Sequence, residues 1–218
     1  MRKSIFSILL VLIFFAAADL SALSLNYEGI DGEMGFLWKN NEGYDTEKGD
    51  SGPDTLTFIP GVSVFFSIDE HWFFRPSIFY YGETLEYLPD RDYTIPVDYS
   101  NINSLSVSSL FLQPAAGYRF TFKERHTIGI QVAPALNFQF PLFGPGKEDR
   151  ADMFKTLMKE FLYFTVGVWY YNPLTERFGF NFKVETALPF YNVWLDRGLP
   201  FSDGLMLSFQ FGIRVLVK

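Results

Sequence analysis

The stretch Thr127–Phe140, TIGIQVAPALNFQF, decides the fold class. Ile128, Ile130, Val132, Leu136, Phe138 and Phe140 fall on one face of an extended chain. Gly129, Gln131, Ala133, Ala135, Asn137 and Gln139 fall on the other. Side chains in a strand alternate between faces with a period of two, and an alternation sustained this long reads as strand. One face is bulky and apolar; the other is both small and polar.

The same division appears on either side of that stretch. From Leu56 to Ile68, Leu56, Phe58, Val62, Val64, Phe66 and Ile68 oppose Thr57, Gly61, Ser63 and Ser67, with Ile59 and Phe65 as exceptions on the polar face. Near the C-terminus, Leu205, Leu207, Phe209, Phe211, Ile213, Val215 and Val217 oppose Ser208, Gln210, Gly212 and Arg214. Eight such segments occur, near residues 27–38, 56–68, 72–81, 107–122, 127–140, 161–171, 177–188 and 205–217. Three connections are short (Asp69–His71, Lys123–His126, Asn172–Glu176) and four are long (Lys39–Thr55, Gly82–Ser106, Pro141–Glu160, Pro189–Gly204). An even number of strands of about ten residues, with short turns at one end and long loops at the other, is the signature of a transmembrane barrel.

A soluble sandwich or barrel also has short alternating strands, but it points its large apolar residues inward. Eight strands enclose a space only just wide enough to fill with side chains. The Gly, Ala and polar face must therefore be the inside, and the bulky apolar face must meet lipid. The expected fold is all-β: an eight-stranded antiparallel up-and-down transmembrane β-barrel, with both termini on the short-turn, periplasmic side.

Composition agrees. The 26 Phe, 12 Tyr and 4 Trp are too many aromatics for an ordinary helical enzyme of 218 residues. The absence of cysteine excludes disulfides, thiolate metal sites and thiol catalysis. A formal charge of −7 argues against a nucleic-acid partner. Arg2 and Lys3 precede an apolar run from Ile5 to Ala18, followed by small residues, the layout of a secretory signal peptide. That run is shorter than the roughly 20 residues of a membrane-spanning helix. Residues 1–22 are expected to be the signal and 23–218 the barrel domain.

On these patterns the chain resembles the small eight-stranded outer-membrane barrels of diderm bacteria, the OmpA, OmpX and OmpW group. The resemblance covers nearly the whole exported chain. It implies location in the bacterial outer membrane and, for OmpW-like members, a small apolar pocket with sideways exit into the bilayer. Such barrels often end in an aromatic residue, whereas this chain ends Val215, Leu216, Val217, Lys218.

Parity places Asp31, Glu33, Arg75, Arg119, Lys183, Glu185 and Arg214 in the lumen. Charges at membrane depth are costly and pair inside the protein, so these seven read as an ion-paired plug or, alternatively, the filter of a gated pore. Nearer the long loops the inward residues are Leu37, Ile59, Phe79, Phe111 and Tyr163, which would either line an apolar ligand pocket or simply pack the upper barrel. Pro60, Pro76, Pro114 and Pro134 have lipid-facing parity. Pro114 and Pro134 sit at similar depth on neighbouring strands, marking either a bulge or a lateral opening. In the third long loop, Met153, Phe154, Leu157, Met158 and Phe161 recur at helical spacing within Ala151–Phe161.

With residues 1–22 removed, the charge is −8, from 16 basic and 24 acidic residues. The four long loops hold 16 acidic and 8 basic residues and so carry all of it. Glu42, Asp45, Glu47, Asp50 and Asp54 crowd the first loop without the spacing of a calcium loop, so no metal and no cofactor is expected. The two histidines, His71 and His126, lie at the short turns, away from the loops that would meet substrate, and no nucleophile elbow or metal-binding cluster appears. Catalysis is not expected. Two functional expectations follow: a channel or binding barrel for small hydrophobic molecules, and a closed structural or host-surface-interaction (adhesin-like) barrel with long extracellular loops. The expected partners are outer-membrane lipid and either a small hydrophobic ligand or a host surface molecule.

Overall fold

The computed structural model describes residues 24–41, 44–45, 50–51, 54–86, 94–96, 104–123, 125–143, 150–195 and 200–216. The expected signal segment lies outside them. The barrel strands are β1 (Asn26–Lys39), β2 in two pieces (Thr55–Phe58 and Gly61–Ser67), β3 (Trp72–Glu86), β4 (Ser104–Phe122), β5 (His126–Phe143), β6 (Leu162–Pro173), β7 (Phe178–Leu188) and β8 (Met206–Leu216). Each pairs antiparallel with its chain neighbours, and β8 pairs with β1 to close the ring. Among the described residues the loop end adds a two-residue hairpin (Tyr44–Asp45 with Asp50–Ser51), a short strand Ile95–Pro96 on the end of β3, and a helix, α1 (Arg150–Leu157), continued by a 3-10 turn at Met158–Glu160.

The registers fix the barrel's geometry. Stepping from partner to partner, Leu162 leads to Leu136, Leu112, Ile78, Val62, Gly32, Ile213, Phe180 and finally Asn172, ten residues along β6 from the start. Eight strands with a stagger of ten tilt by about 41° and give a backbone radius of about 8 Å at ordinary strand spacings.

Burial follows the alternation. Ile30, Met34, Phe36, Val62, Ile78, Ile130, Val132, Val168, Phe209, Phe211 and Ile213 face outward and are exposed, while Asp31, Arg75, Ser63, Lys183 and Asn181 are buried inside. The apolar surface is on the outside. Placed across from large inward rings are glycines: Gly129 faces Trp169, Gly117 faces Phe73 and Gly61 faces Phe79 across their ladders. A Cβ at any of the three would run into the facing ring. The small face is thus the set of sockets into which the lumen aromatics fit.

Beyond Asn137, whose N–H donates to the Phe161 carbonyl at 2.7 Å, β5 has no further pairing with β6 among the described residues, so its upper part is a sheet edge. Met153 and Leu157 of α1 pack with Leu85, Leu105 and Val107 on the inner face of β3 and β4, and Phe154 meets Phe140 on the outer face of β5. The helix straddles that edge and covers it, as exposed edges require. At the other end, the β2–β3 turn is set by Asp69, whose carboxylate accepts from the backbone N–H of Trp72 (2.6 Å) and His71 (2.7 Å). Those bonds hold its pKa below the usual carboxylate value.

A charge on the outer face tests the orientation. Phe211→Arg is expected to destabilise the barrel by about 2–4 kcal/mol in vesicle unfolding, the cost of a cation near mid-bilayer on a lipid-facing strand. No loss of stability would mean that this face does not meet hydrocarbon.

Candidate functional site

The lumen contains the chain's concentration of buried polar chemistry, and it is layered. Nearest the short turns, Arg119 spans the opening. Its two terminal nitrogens donate to Glu28 at 2.9 and 2.8 Å and its Nε to the Glu70 carbonyl at 3.1 Å. Above it lies an aromatic floor of Phe65, Phe73, Trp169 and Tyr171. The Arg214 guanidinium lies 3.9 Å from the Phe65 ring centroid and 4.6 Å from that of Tyr171, cation–π contacts strengthened by exclusion of water.

The ionic core follows. Asp31 is shared: its Oδ1 accepts from Arg214 Nε at 2.6 Å, and its Oδ2 accepts from Arg214 Nη2 at 2.9 Å and Arg75 Nη2 at 2.8 Å. Arg75 also donates to Glu33, which takes a further bond from Ser63 Oγ at 2.8 Å. Glu185 accepts from Gln113 and Gln131 at 2.6 and 2.8 Å. Lys183 Nζ stands 3.9 Å from both Glu33 and Glu185 and 4.4 Å from the Phe79 ring centroid. At that distance it is held by charge rather than by a direct hydrogen bond. Asp31, Glu33 and Glu185 thus balance Arg75, Lys183 and Arg214, three against three among the described residues of this layer.

Of the seven charged residues expected inside, six meet in this core. Arg119 does not; it sits at the rim, partly exposed, with Glu28 as its partner. Glu28 has lipid-facing parity in the sequence, but a bulge between Tyr27 and Gly29 breaks that parity and brings it to the rim.

Leu37, Ile59, Phe79, Phe111 and Tyr163 are all buried in one cluster, joined by Tyr81, Ala135, Ala187, Tyr191 and Met206. They do not enclose a ligand-sized space. The cavity bordered by Leu37, Ile59, Phe79, Tyr81, Phe111, Ala187 and Met206, with Glu185, Ser208 and Gln210 but not Tyr163, measures about 10 Å³, room for about one water, far below the several hundred Å³ of a small-molecule pocket. Higher still, Lys39 Nζ donates to both oxygens of Glu83 at 3.1 Å. This pair is not evident in the sequence, because β3 runs on to Glu86 and carries Glu83 inward past the strand end that the alternation marks. The hydrophobic contacts of α1 lie on the same inner face.

The prolines make neither a bulge nor an opening. Pro114 stands opposite Pro134: pairing runs through Leu112↔Leu136 and resumes in unchanged register at Ala116↔Val132. Two facing prolines have no N–H to exchange, so the ladder skips a step. Behind the gap the wall is sealed by Gln113, Ala115, Ala133 and Ala135, all buried. Pro76, opposite Pro114, interrupts the β2–β3 pairing in the same manner. The histidines sit at the short-turn end against aromatic rings: His71 stacks on Tyr118, and His126 Nδ1 lies 2.6 Å from the Tyr170 hydroxyl.

A closed eight-strand ring, an apolar exterior and a charge-balanced interior define a small transmembrane β-barrel of the outer-membrane type. Among solved structures, the fold is similar to Neisserial surface protein A (NspA), at 11% identity over 87% of this chain and 97% of that one, with a TM-score of 0.54. Matches also include Ail, the attachment invasion locus protein of Yersinia pestis, in complex with the heparin analogue sucrose octasulfate (12% identity, 87% and 99% covered, TM-score 0.44). A de novo designed transmembrane β-barrel matches at 9% identity, with 85% and 95% covered and a TM-score of 0.38. No protein-family model and no curated protein matches.

The core's charge balance is testable by subtraction. Arg75→Met leaves three buried carboxylates facing two cations and is expected to cost about 3–5 kcal/mol in vesicle unfolding. The double variant R75M/E33L restores the balance and should recover most of that loss. Equal losses in both would show that Arg75 acts by packing rather than by charge.

Proposed function

We propose that this chain works as a closed outer-membrane barrel whose long acidic loops form a surface for interaction with cationic partners, rather than as a channel, a ligand-binding barrel or an enzyme. The termini lie on the periplasmic side, and residues 1–22 direct export. The observation that carries this reading is the filled lumen. From Arg119 at one end to Lys39–Glu83 and α1 at the other, each level is occupied by packed or paired side chains. What remains available for recognition is the loop end, and its chemistry is lopsided. Outside the barrel strands, residues 40–54, 87–103, 144–161 and 189–205 carry 14 acidic against 7 basic residues, while the rest of the exported chain is nearly balanced at 10 and 9.

A field of that sign steers basic proteins toward the loops and repels polyanions. A sulfated glycan, the ligand class of the Ail complex, fits it poorly. The test is binding of poly-L-lysine and of heparin to the barrel in nanodiscs. The expected result is poly-L-lysine binding that weakens sharply from low to high salt, no heparin binding, and loss of poly-L-lysine binding when Glu42→Gln, Asp45→Asn, Glu47→Gln and Asp50→Asn are combined. Heparin binding, or unchanged poly-L-lysine binding by the neutralised variant, would overturn the reading.

A further inference from the structure

The closing seam between β1 and β8 raises a question of register. The outward residues of β1 (Ile30, Met34, Phe36, Trp38) and of β8 (Leu207, Phe209, Phe211, Ile213, Val215) are apolar almost throughout. A slip of two residues keeps every side chain on its own face, so the alternation that fixes register in a one-sided sheet does not distinguish these alternatives. Yet the slip changes the barrel. In the observed register, Gly32 meets Ile213 and the stagger is ten. If Gly32 met Val215 instead, the same walk around the ring would end two residues further along β6. The stagger would be twelve, and the backbone radius would grow from about 8 to about 9 Å.

We propose that the Asp31–Arg214 pair selects the register at which the barrel closes, and with it the stagger and width of the whole barrel. The two residues are direct cross-strand partners. Both Asp31 oxygens are engaged by Arg214, at 2.6 and 2.9 Å, and one is also engaged by Arg75 at 2.8 Å. The competing register of stagger twelve would set Glu33 opposite Arg214 and Asp31 opposite Leu216. Glu33 is already engaged by Arg75 and Ser63, contacts that lie on the β1–β3 side and do not move with β8. The slip would therefore break a bidentate buried pair without freeing a carboxylate to replace it. Glycines reinforce the choice, since Gly212 lies opposite Glu33, and a Cβ there would press on the Asn181 side chain and the Gly32 carbonyl. Asp31 acts as a positioning residue for closure, keeping two otherwise acceptable pairings apart.

The chain has no cysteine, so an engineered pair reports register without background. Gly32→Cys with Ile213→Cys reads the observed register, and Met34→Cys with Ile213→Cys reads the slipped one. In otherwise unaltered barrels, oxidation should trap the first pair and leave the second largely free. Adding Asp31→Asn should raise the ratio of 34/213 to 32/213 cross-link by roughly tenfold or more, the factor carried by about 1.4 kcal/mol of register preference. Glu33→Gln, which removes an equally buried carboxylate but one that would face Arg214 only in the slipped register, should not raise the ratio. If D31N gives no folded barrel, Arg214→Lys, which retains the charge but not the two-point grip, takes its place and should raise the ratio less. An unchanged ratio in the variant measured, or an equal rise with E33Q, would overturn the proposal.

Discussion

Hydrocarbon offers a peptide group no hydrogen-bond partner, so strands that enter it must satisfy their backbones among themselves, in a ring with no open edge. Much of this structure follows from that requirement. An eight-strand ring has a backbone radius of about 8 Å, so the inward side chains meet across the lumen and must be chemically compatible there. Charges on that face have neither bulk water nor room to avoid one another. The arrangement found is a balanced set in which Asp31 joins arginines from β3 and β8 to β1.

The narrowness also accounts for the mixture of glycines and large rings. Trp169, Phe73 and Phe79 can point into the lumen because the neighbouring strand presents glycine at the facing position. The rings then serve as surfaces for the cations, with Arg214 over Phe65 and Tyr171 and Lys183 over Phe79. Packing and charge are coupled: losing an aromatic ring would expose a guanidinium, and losing a carboxylate would leave a cation unpaired.

Much of this is legible in the residues. A period of two with the bulky face consistently apolar specifies strands that meet lipid, and parity alone assigns Asp31, Glu33, Arg75, Lys183, Glu185 and Arg214 to the inside. Parity fails where the chain departs from regular strand. The bulge before Gly29 hides Glu28 as the partner of Arg119, and the extension of β3 past the expected loop boundary hides Lys39–Glu83. The aromatic floor is legible too: Trp169 shares the inward parity of Thr165 and Gly167, and a glycine at its facing position signals the socket. The proline pair misleads for a physical reason. A missing N–H suggests disruption, but two prolines facing each other omit one step of the ladder and leave register intact.

The apolar upper lumen shows why composition cannot separate a pocket from a packed core. Leu37, Ile59, Phe79, Phe111 and Tyr163 would line either one, and only their mutual distances distinguish the two; here they are in contact. Electrical recording of the reconstituted barrel in planar bilayers reads out whether the lumen is occupied along its length. Membranes should stay at baseline after insertion, with no stable conductance steps. Sustained, reproducible openings of the unaltered protein would contradict that occupancy.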